Sequence, residues 1–180
     1  MSPGYRIIFL SITAAVLYGL VMDQITVRVC IEYFSIAHKR LDFIPPDSPT
    51  LLALAWGVIA TWWVGLMLGI PLAIACRAGS LPKLKPRAVV RPLAILLLVM
   101  AGMTLVAGIT GYVLAEKEIL TPGEWAPLIP AAAHVGFVSN ACAHLAAYTT
   151  GFIGGIVLII LTVRRRRLAA AGAKAKKPVL

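Results

Sequence analysis

Three polar side chains lie on one face of the last apolar stretch of this 180-residue chain. Asn140, His144 and Tyr148 follow one another at intervals of four residues, which places them on the same side of an α-helix. Asp23 closes the first apolar stretch. Counting 1.5 Å per helical residue from the flanking arginines puts Asp23 and His144 at similar depths. We expect these four residues to form a polar cluster, with His144 turned into the protein and Asp23 as its leading partner on the first helix.

A second group of side chains is typical of a metal site. Imidazole and carboxylate groups together suit zinc, iron or copper, and the candidates are Glu32, His38, His134 and His144. No HExxH, Glu-x-x-His or CxxC pattern occurs, so the spacing identifies no particular metal. Three interpretations stay open: a bound metal, hydrogen bonds within the bundle, or a site for a proton or another ligand.

The cysteines indicate free thiols. Three cysteines in 180 residues are too few for a disulfide scaffold. Cys30 and Cys142 are expected on the same side of the membrane, where an oxidising compartment permits a bond, but two free thiols are the favoured state.

The composition excludes an ordinary soluble domain. Hydrophobic residues make up 60% of the chain and charged residues 13%, against roughly 45–50% and about 25% in soluble domains. So apolar a chain is not disordered either. The net charge of +10 does not indicate nucleic-acid binding, because the basic residues stand between long apolar runs, as lipid-flanking charges do. The chain is expected to be an integral membrane protein.

Four apolar stretches are long enough to cross a hydrocarbon core, which takes about 20 helical residues. They are Ile7–Met22, Leu51–Cys76, Leu93–Ala115 and Ala131–Val163. The prediction is an all-α, integral membrane four-helix bundle, a single domain of residues 1–163 followed by a basic tail, 164–180. Pro71 is expected to kink the second helix. The first stretch also fits the apolar part of a signal peptide, but it lacks a clean small-x-small cleavage site before Asp23, which favours a retained span.

The distribution of charge predicts an orientation. The N-terminus, the 77–91 connection and the tail hold 13 of the 17 basic residues and no acidic one, whereas the other side holds four basic and all seven acidic residues. The positive-inside rule then places both termini in the cytoplasm, with the chain in the plasma (inner) membrane. The tail is interpreted as a solvated anchor that also docks onto anionic lipid.

The segment after the first span has two interpretations. Apolar residues alternate with polar ones from Ile25 to Tyr33, which is a strand pattern. No Gly or Pro intervenes before Pro45, so the same residues also fit a continued helix. Trp56 is expected in the aromatic belt at the outer interface.

Small residues recur along three of the predicted helices. Such positions let helix backbones approach closely in lipid, so we expect tight packing inside the bundle, or alternatively against another subunit or a second copy. The glycines expected at these contacts are Gly57, Gly65, Gly69, Gly108, Gly151 and Gly155.

Two functions of different classes fit these features. The first is an accessory, assembly or interaction subunit of a membrane complex, whose partners are the lipid bilayer and other membrane subunits or a second copy. The alternative is a membrane protein whose outer mouth holds a His and carboxylate site for a metal, a proton or a small cofactor. No motif for a named reaction occurs, so an enzymatic activity is not indicated.

Overall fold

A computed structural model describes residues 1–38, 41–45 and 47–175 of the chain. Four of the basic residues counted above, Lys39, Arg40, Lys176 and Lys177, lie outside the described residues, as does the end of the predicted tail.

The described part of the chain is helical and contains no strand. Its α-helices are α1 (Pro3–Val29), α2 (Glu32–Ser35), α3 (Pro49–Ile59), α4 (Trp62–Arg77), α5 (Arg87–Glu116) and α6 (His134–Ala175). Two short 3₁₀ helices, Gly123–Leu128 and Ala131–Ala133, precede α6. Four segments are long and apolar enough to cross a membrane: Pro3–Val29, Pro49–Arg77, Arg87–Glu116 and Ala131–Ala173. The prediction of an all-helical, four-span bundle is confirmed.

The spans define two ends of the bundle. Ser2 and Tyr5 lie beside Arg77 and Ala78, and the end of α6 reaches the same connection; we call this the basic end. The opposite end carries residues 30–38, 41–45, 47–48 and 117–133, and we call it the histidine end.

The segment after the first span is helical up to Val29, so the strand interpretation is wrong. Thr26 stays within the helix and donates its hydroxyl to the Met22 carbonyl at 3.0 Å. The helix ends at Cys30, whose backbone is extended and whose N–H bonds the Thr26 carbonyl.

The second span is interrupted at Ala60–Thr61, between α3 and α4. The Thr61 hydroxyl donates to the Gly57 carbonyl at 2.5 Å, and the Thr61 N–H turns to the Val58 carbonyl at 3.3 Å. Pro71, where the sequence predicts a kink, lies inside α4, whose helix is continuous there. Irregular backbone at membrane depth occurs where it is buried in protein or lines a cavity, and this break lines one.

The tail begins as a helix in which one arginine is buried. Helix α6 runs without interruption from the last span to Ala175, and Arg166 is only 3% exposed. Its guanidinium donates to four backbone carbonyls, those of Ala75, Ala78, Leu81 and Pro82. A single buried arginine leaves no periodic signal, so the sequence pattern did not predict this contact.

The glycines of the second span pack against α1. A Cβ added to Gly57 would lie 2.9 Å from Leu20 Cα, and one added to Gly65 would lie 2.7 Å from Ile12 Cα. At Gly69 the nearest atom is Ser11 Cβ, at 2.8 Å. These distances leave no room for a side chain, so α1 and the second span are in backbone contact.

The other three predicted glycines meet side chains rather than backbone. An added Cβ would lie 3.4 Å from Ala143 Cβ at Gly108, 2.9 Å from Met100 Cε at Gly151 and 2.7 Å from Leu68 Cδ1 at Gly155. The last two contacts involve flexible chain ends, and Gly151 and Gly155 also line internal cavities. The small residues of α6 therefore leave room for the cavities as well as contacting side chains of the neighbouring helices.

Candidate functional site

A lid of aromatic rings closes the histidine end of the bundle. The chain turns back after Cys30, and the short helix α2 carries Tyr33 and Phe34 over the ends of the spans. The Tyr33 ring stacks on the His144 imidazole with centroids 4.8 Å apart and meets the Phe137 ring edge-on at 5.4 Å. Phe34 is 1% exposed, so the lid is a packed part of the fold.

His144 is held by the first helix through Thr26. The Nε2 atom of His144 lies 3.2 Å from Thr26 Oγ1 and 3.9 Å from Asp23 Oδ1. Because the Thr26 hydroxyl gives its proton to the Met22 carbonyl, its oxygen is the acceptor and His144 Nε2–H the donor. The hydrogen bond to the first helix therefore goes to Thr26, with Asp23 just beyond hydrogen-bonding distance.

Asp23 is a buried carboxyl group without a hydrogen-bond donor among the described residues. The residue is 5% exposed, and its nearest polar partner is the His144 nitrogen at 3.9 Å. Its side chain lines a cavity instead. A buried polar group without a partner costs roughly 1–3 kcal/mol, and a charged one costs more. Asp23 thus presents an unused acceptor to the cavity.

The other members of the predicted polar cluster anchor the helices. Asn140, 1% exposed, donates to the carbonyls of Thr26 and Cys30 at 2.8 and 3.1 Å and so caps the end of α1. Tyr148 donates to the carbonyl of Ala60, at the break in the second span, at 3.3 Å. Asn140 thus satisfies the Cys30 carbonyl at the end of α1 and adds a second bond to the Thr26 carbonyl, while Tyr148 satisfies a carbonyl at the break.

The four predicted metal ligands do not come together. The Nε2 atom of His134 bonds the carbonyls of Ala126 and Ile129 and ties the 3₁₀ segment to α6. Glu32 accepts a hydrogen bond from the Cys30 thiol at 3.3 Å. In the described ranges no group of three or more His, Cys, Asp or Glu side chains is arranged to hold a metal ion. The mixture of residue types suggested a site, but loop geometry commits His134 and Glu32 to other partners.

His38 lies between the lid and the second span. Its Nδ1–H donates to the Tyr33 carbonyl at 2.7 Å, which leaves Nε2 as an acceptor when the ring is neutral. The ring stacks on Phe34 at 5.7 Å and contacts the Trp56 ring at 4.7 Å. Burial lowers the pKa of His38, although the bond to Tyr33 opposes the shift. Burial therefore favours the neutral form of the His38 imidazole.

A cavity of about 70 Å³ lies beneath the lid, several times the roughly 10–15 Å³ that one water molecule needs. We call it the central chamber. Its polar and aromatic lining residues are Tyr18, Asp23, His38, Trp56, Thr61, His144 and Tyr148. No lysine or arginine is among the described residues that line it. A carboxylate in the chamber therefore has no permanently charged partner among the described lining residues.

A wider, more open hollow of about 500 Å³ lies on the other side of the lid. Tyr33 and His38 line it together with Trp125 and Phe137, and His38 also lines the central chamber. The His38 side chain is thus part of the wall between the chamber and the histidine end.

Sequence reasoning missed three residues of the site. Thr26 looks like one polar member of an alternating segment, and only the helical structure brings its hydroxyl to 3.2 Å from His144 Nε2. Trp56, expected in the interfacial belt, is half-buried in the chamber wall, and its Nε1–H is buried without a partner among the described residues. Tyr18, whose hydroxyl lies 2.8 Å from Thr104 Oγ1, stands in the first span without a distinguishing pattern.

The cysteines are free thiols, as expected for two of them. Burial, as the largest cause, raises the pKa of Cys30 to about 11. A thiol held in its neutral form is a poor nucleophile, so its surroundings do not activate Cys30 for nucleophilic attack.

Fold and site together define a class: a four-span helical bundle with a carboxyl group and two imidazoles around an internal chamber. Comparison with protein-family models, curated proteins and solved structures finds no match for this chain.

Proposed function

We propose that the protein binds an organic ammonium ion, the protonated amine of a small molecule, in the central chamber, with Asp23 as its counter-ion. The observation that carries this proposal is the Asp23 carboxyl group, 5% exposed, turned to the chamber and given no hydrogen-bond donor by the described residues. Buried carboxylates are normally paired with a cation or hydrogen-bonded. A ligand with both a positive charge and N–H donors supplies the cation and the hydrogen bonds that Asp23 lacks.

The chamber wall also favours a cation over a neutral ligand. Tyr18, Trp56 and Tyr148 contribute aromatic rings, whose faces attract ammonium groups by about 2 kcal/mol or more when the pair is shielded from water. His144 commits its Nε2–H to Thr26, and neutral His38 offers a lone pair. Neither histidine, in these roles, competes with the ligand for Asp23.

Hexylamine is the probe for this proposal, measured by calorimetry in lipid nanodiscs with empty nanodiscs subtracted. We expect wild-type protein to bind hexylamine, and Asp23→Asn to weaken binding about 30-fold or more, since removing one partner of a buried charge pair costs about 2–5 kcal/mol. A proton and the amine compete for one carboxylate, so binding should weaken as the pH falls from 8 to 5.

Two matched controls accompany this experiment. Hexanol and hexanoate have the same chain without the positive charge and should bind poorly. Glu116→Gln removes an exposed carboxylate at the histidine end and should leave hexylamine affinity within twofold of wild type. Equal affinity for hexanol and hexylamine, or an Asp23→Asn variant that binds normally, would contradict the ammonium site.

We also propose that both termini face the cytoplasm from the plasma (inner) membrane. The support is the concentration of basic residues at the basic end, together with the positive-inside rule. Reporter fusions after Leu81 and after Leu180 should both give a cytoplasmic signal. A periplasmic signal at either point would reverse the orientation. In the proposed orientation the exposed arginines of α6, Arg164, Arg165 and Arg167, face anionic lipid, at about 1 kcal/mol per residue.

A role as an accessory subunit is the second candidate, and the surface of α5 favours it. Gly102 has no atom within 4 Å of the position of an added Cβ, and the neighbouring Leu98 is 74% exposed. A helix of another subunit can approach the backbone closely at such a place. If it does, Gly102→Leu will remove the partner from complexes isolated from membranes without destabilising the purified chain.

A further inference from the structure

A second cavity of about 70 Å³ lies between the spans below the central chamber, and we call it the apolar crevice. All four spans contribute to it, with a lining dominated by leucine: Leu68, Leu72, Leu93, Leu96, Leu97 and Leu158. Polar side chains are nearly absent from this lining; Ser11 is the exception, and its hydroxyl donates to the carbonyl of Ile7 at 3.0 Å. The crevice therefore offers dispersion contacts and no hydrogen-bonding group of its own.

The apolar crevice adjoins the central chamber. Ala15, Val64, Met100 and Gly151 line both cavities, so these four residues lie at the boundary where the two meet. The pair of cavities has a carboxyl group and aromatic rings at the end near the lid and a hydrocarbon surface at the end near the basic side. This polarity is that of a single-chain amphiphile.

We infer that the ligand is a long-chain amine, with its ammonium group at Asp23 and its hydrocarbon chain in the apolar crevice. This inference rests on the proposed function for the head group and adds the class of molecule. From His144 to Leu158 the wall of α6 covers 14 residues, which is about 21 Å at 1.5 Å per residue. A chain of twelve or more carbons extends from Asp23 through the apolar crevice. The hexyl group of hexylamine reaches only the part of the crevice next to the chamber.

The route of entry follows from Tyr148, which lines the central chamber and is also 42% exposed. A residue with both properties lies on the rim where the chamber opens to the surface of the bundle. Tyr148 belongs to the fourth span and contacts Ala60 of the second, so this opening faces the hydrocarbon region. An amphiphile dissolved in the bilayer enters there without crossing water.

Photolabelling tests the position of the chain. The probe is dodecylamine with a diazirine at the end of its chain, bound to the protein in nanodiscs, and labelled peptides are identified by mass spectrometry. We expect label on Leu93, Leu97 and Leu158 in the crevice, well above that on lipid-facing Leu98 and Leu161, which are 74% and 52% exposed. Equal labelling of the crevice residues and the lipid-facing residues would overturn the inference.

Substitution in the crevice gives the second test. Leu97→Trp fills the crevice and should weaken dodecylamine binding tenfold or more while hexylamine binding stays within twofold. Leu98→Trp, one residue further on and exposed to lipid, should change neither. Ala14→Val is the milder variant, because Ala14 lines the crevice and not the chamber, and it should act in the same direction as Leu97→Trp.

The two proposals fail in different ways. If dodecylamine affinity falls in Asp23→Asn but is unchanged in Leu97→Trp and Ala14→Val, the head-group site stands and the crevice assignment is overturned. If the probe labels the crevice equally in wild type and in Asp23→Asn, the crevice assignment stands and the ammonium site is overturned.

Discussion

Arg166→Met is expected to lower the free energy of unfolding by about 3–5 kcal/mol, because four hydrogen bonds from a charged group are lost, each worth about 1.5–3 kcal/mol when buried and less when partly exposed. At about 2–4 °C per kcal/mol for a chain of this size, the Tm in detergent should fall by roughly 6–20 °C. Methionine keeps much of the volume of the arginine but supplies no donor. The carbonyls of Ala78, Leu81 and Pro82 would lose their donor, and that of Ala75, a buried residue, would be left without this partner inside the protein.

The adjacent arginine provides the control. Arg165 is exposed, so Arg165→Met should leave the Tm within about 2 °C of wild type, because surface substitutions change stability by about 0.5 kcal/mol or less. Arg166→Lys keeps the charge but loses the planar fork that bonds several carbonyls at once, and its Tm should lie between those of wild type and Arg166→Met. Equal Tm values for the two methionine variants would show that the buried contact does not stabilise the bundle.

Arg166 marks a limit of sequence reasoning about this fold. The four spans could be predicted because the length and hydropathy of a stretch decide whether it crosses a bilayer. Among four consecutive arginines, however, the sequence does not reveal which one turns inward, since that depends on how the chain leaves α4. The break at Ala60–Thr61 was missed for a similar reason: no Gly or Pro lies there, and the Thr61 hydroxyl competes for the Gly57 carbonyl only in this packing.

The sequence predicted the part of the candidate site that depends only on how deep each residue lies along its helix. Counting residues placed Asp23 and His144 at one level, and their side chains lie 3.9 Å apart. Counting does not give the rotation of each helix about its own axis. It therefore could not predict that Thr26 rather than Asp23 bonds His144. It also does not describe how loops fold, so the proposed metal ligands Glu32 and His134 were grouped with residues that they do not approach.

Gly65→Leu is expected to destabilise the bundle by about 3 kcal/mol or more and to lower the Tm by at least roughly 6 °C. Even a single added Cβ at this position would lie 2.7 Å from Ile12 Cα and 2.8 Å from the Ser11 carbonyl oxygen. Both are backbone atoms of α1, which cannot move away as the end of a flexible side chain can. The four carbons of a leucine side chain therefore force α1 and the second span apart and remove the close contacts on which helix association in lipid depends.

Gly102→Leu is the matched control for this prediction, since it is the same change in the interior of another spanning helix. No atom lies within 4 Å of an added Cβ at Gly102, so the new side chain meets no protein. Leucine also has a higher helix propensity than glycine, by somewhat under 1 kcal/mol. The Tm of Gly102→Leu should therefore equal or slightly exceed that of wild type, while Gly65→Leu falls and Gly65→Ala lies between. A fall of the same size in both leucine variants would attribute the effect to loss of glycine itself, whereas a fall confined to position 65 ties it to the contact with α1.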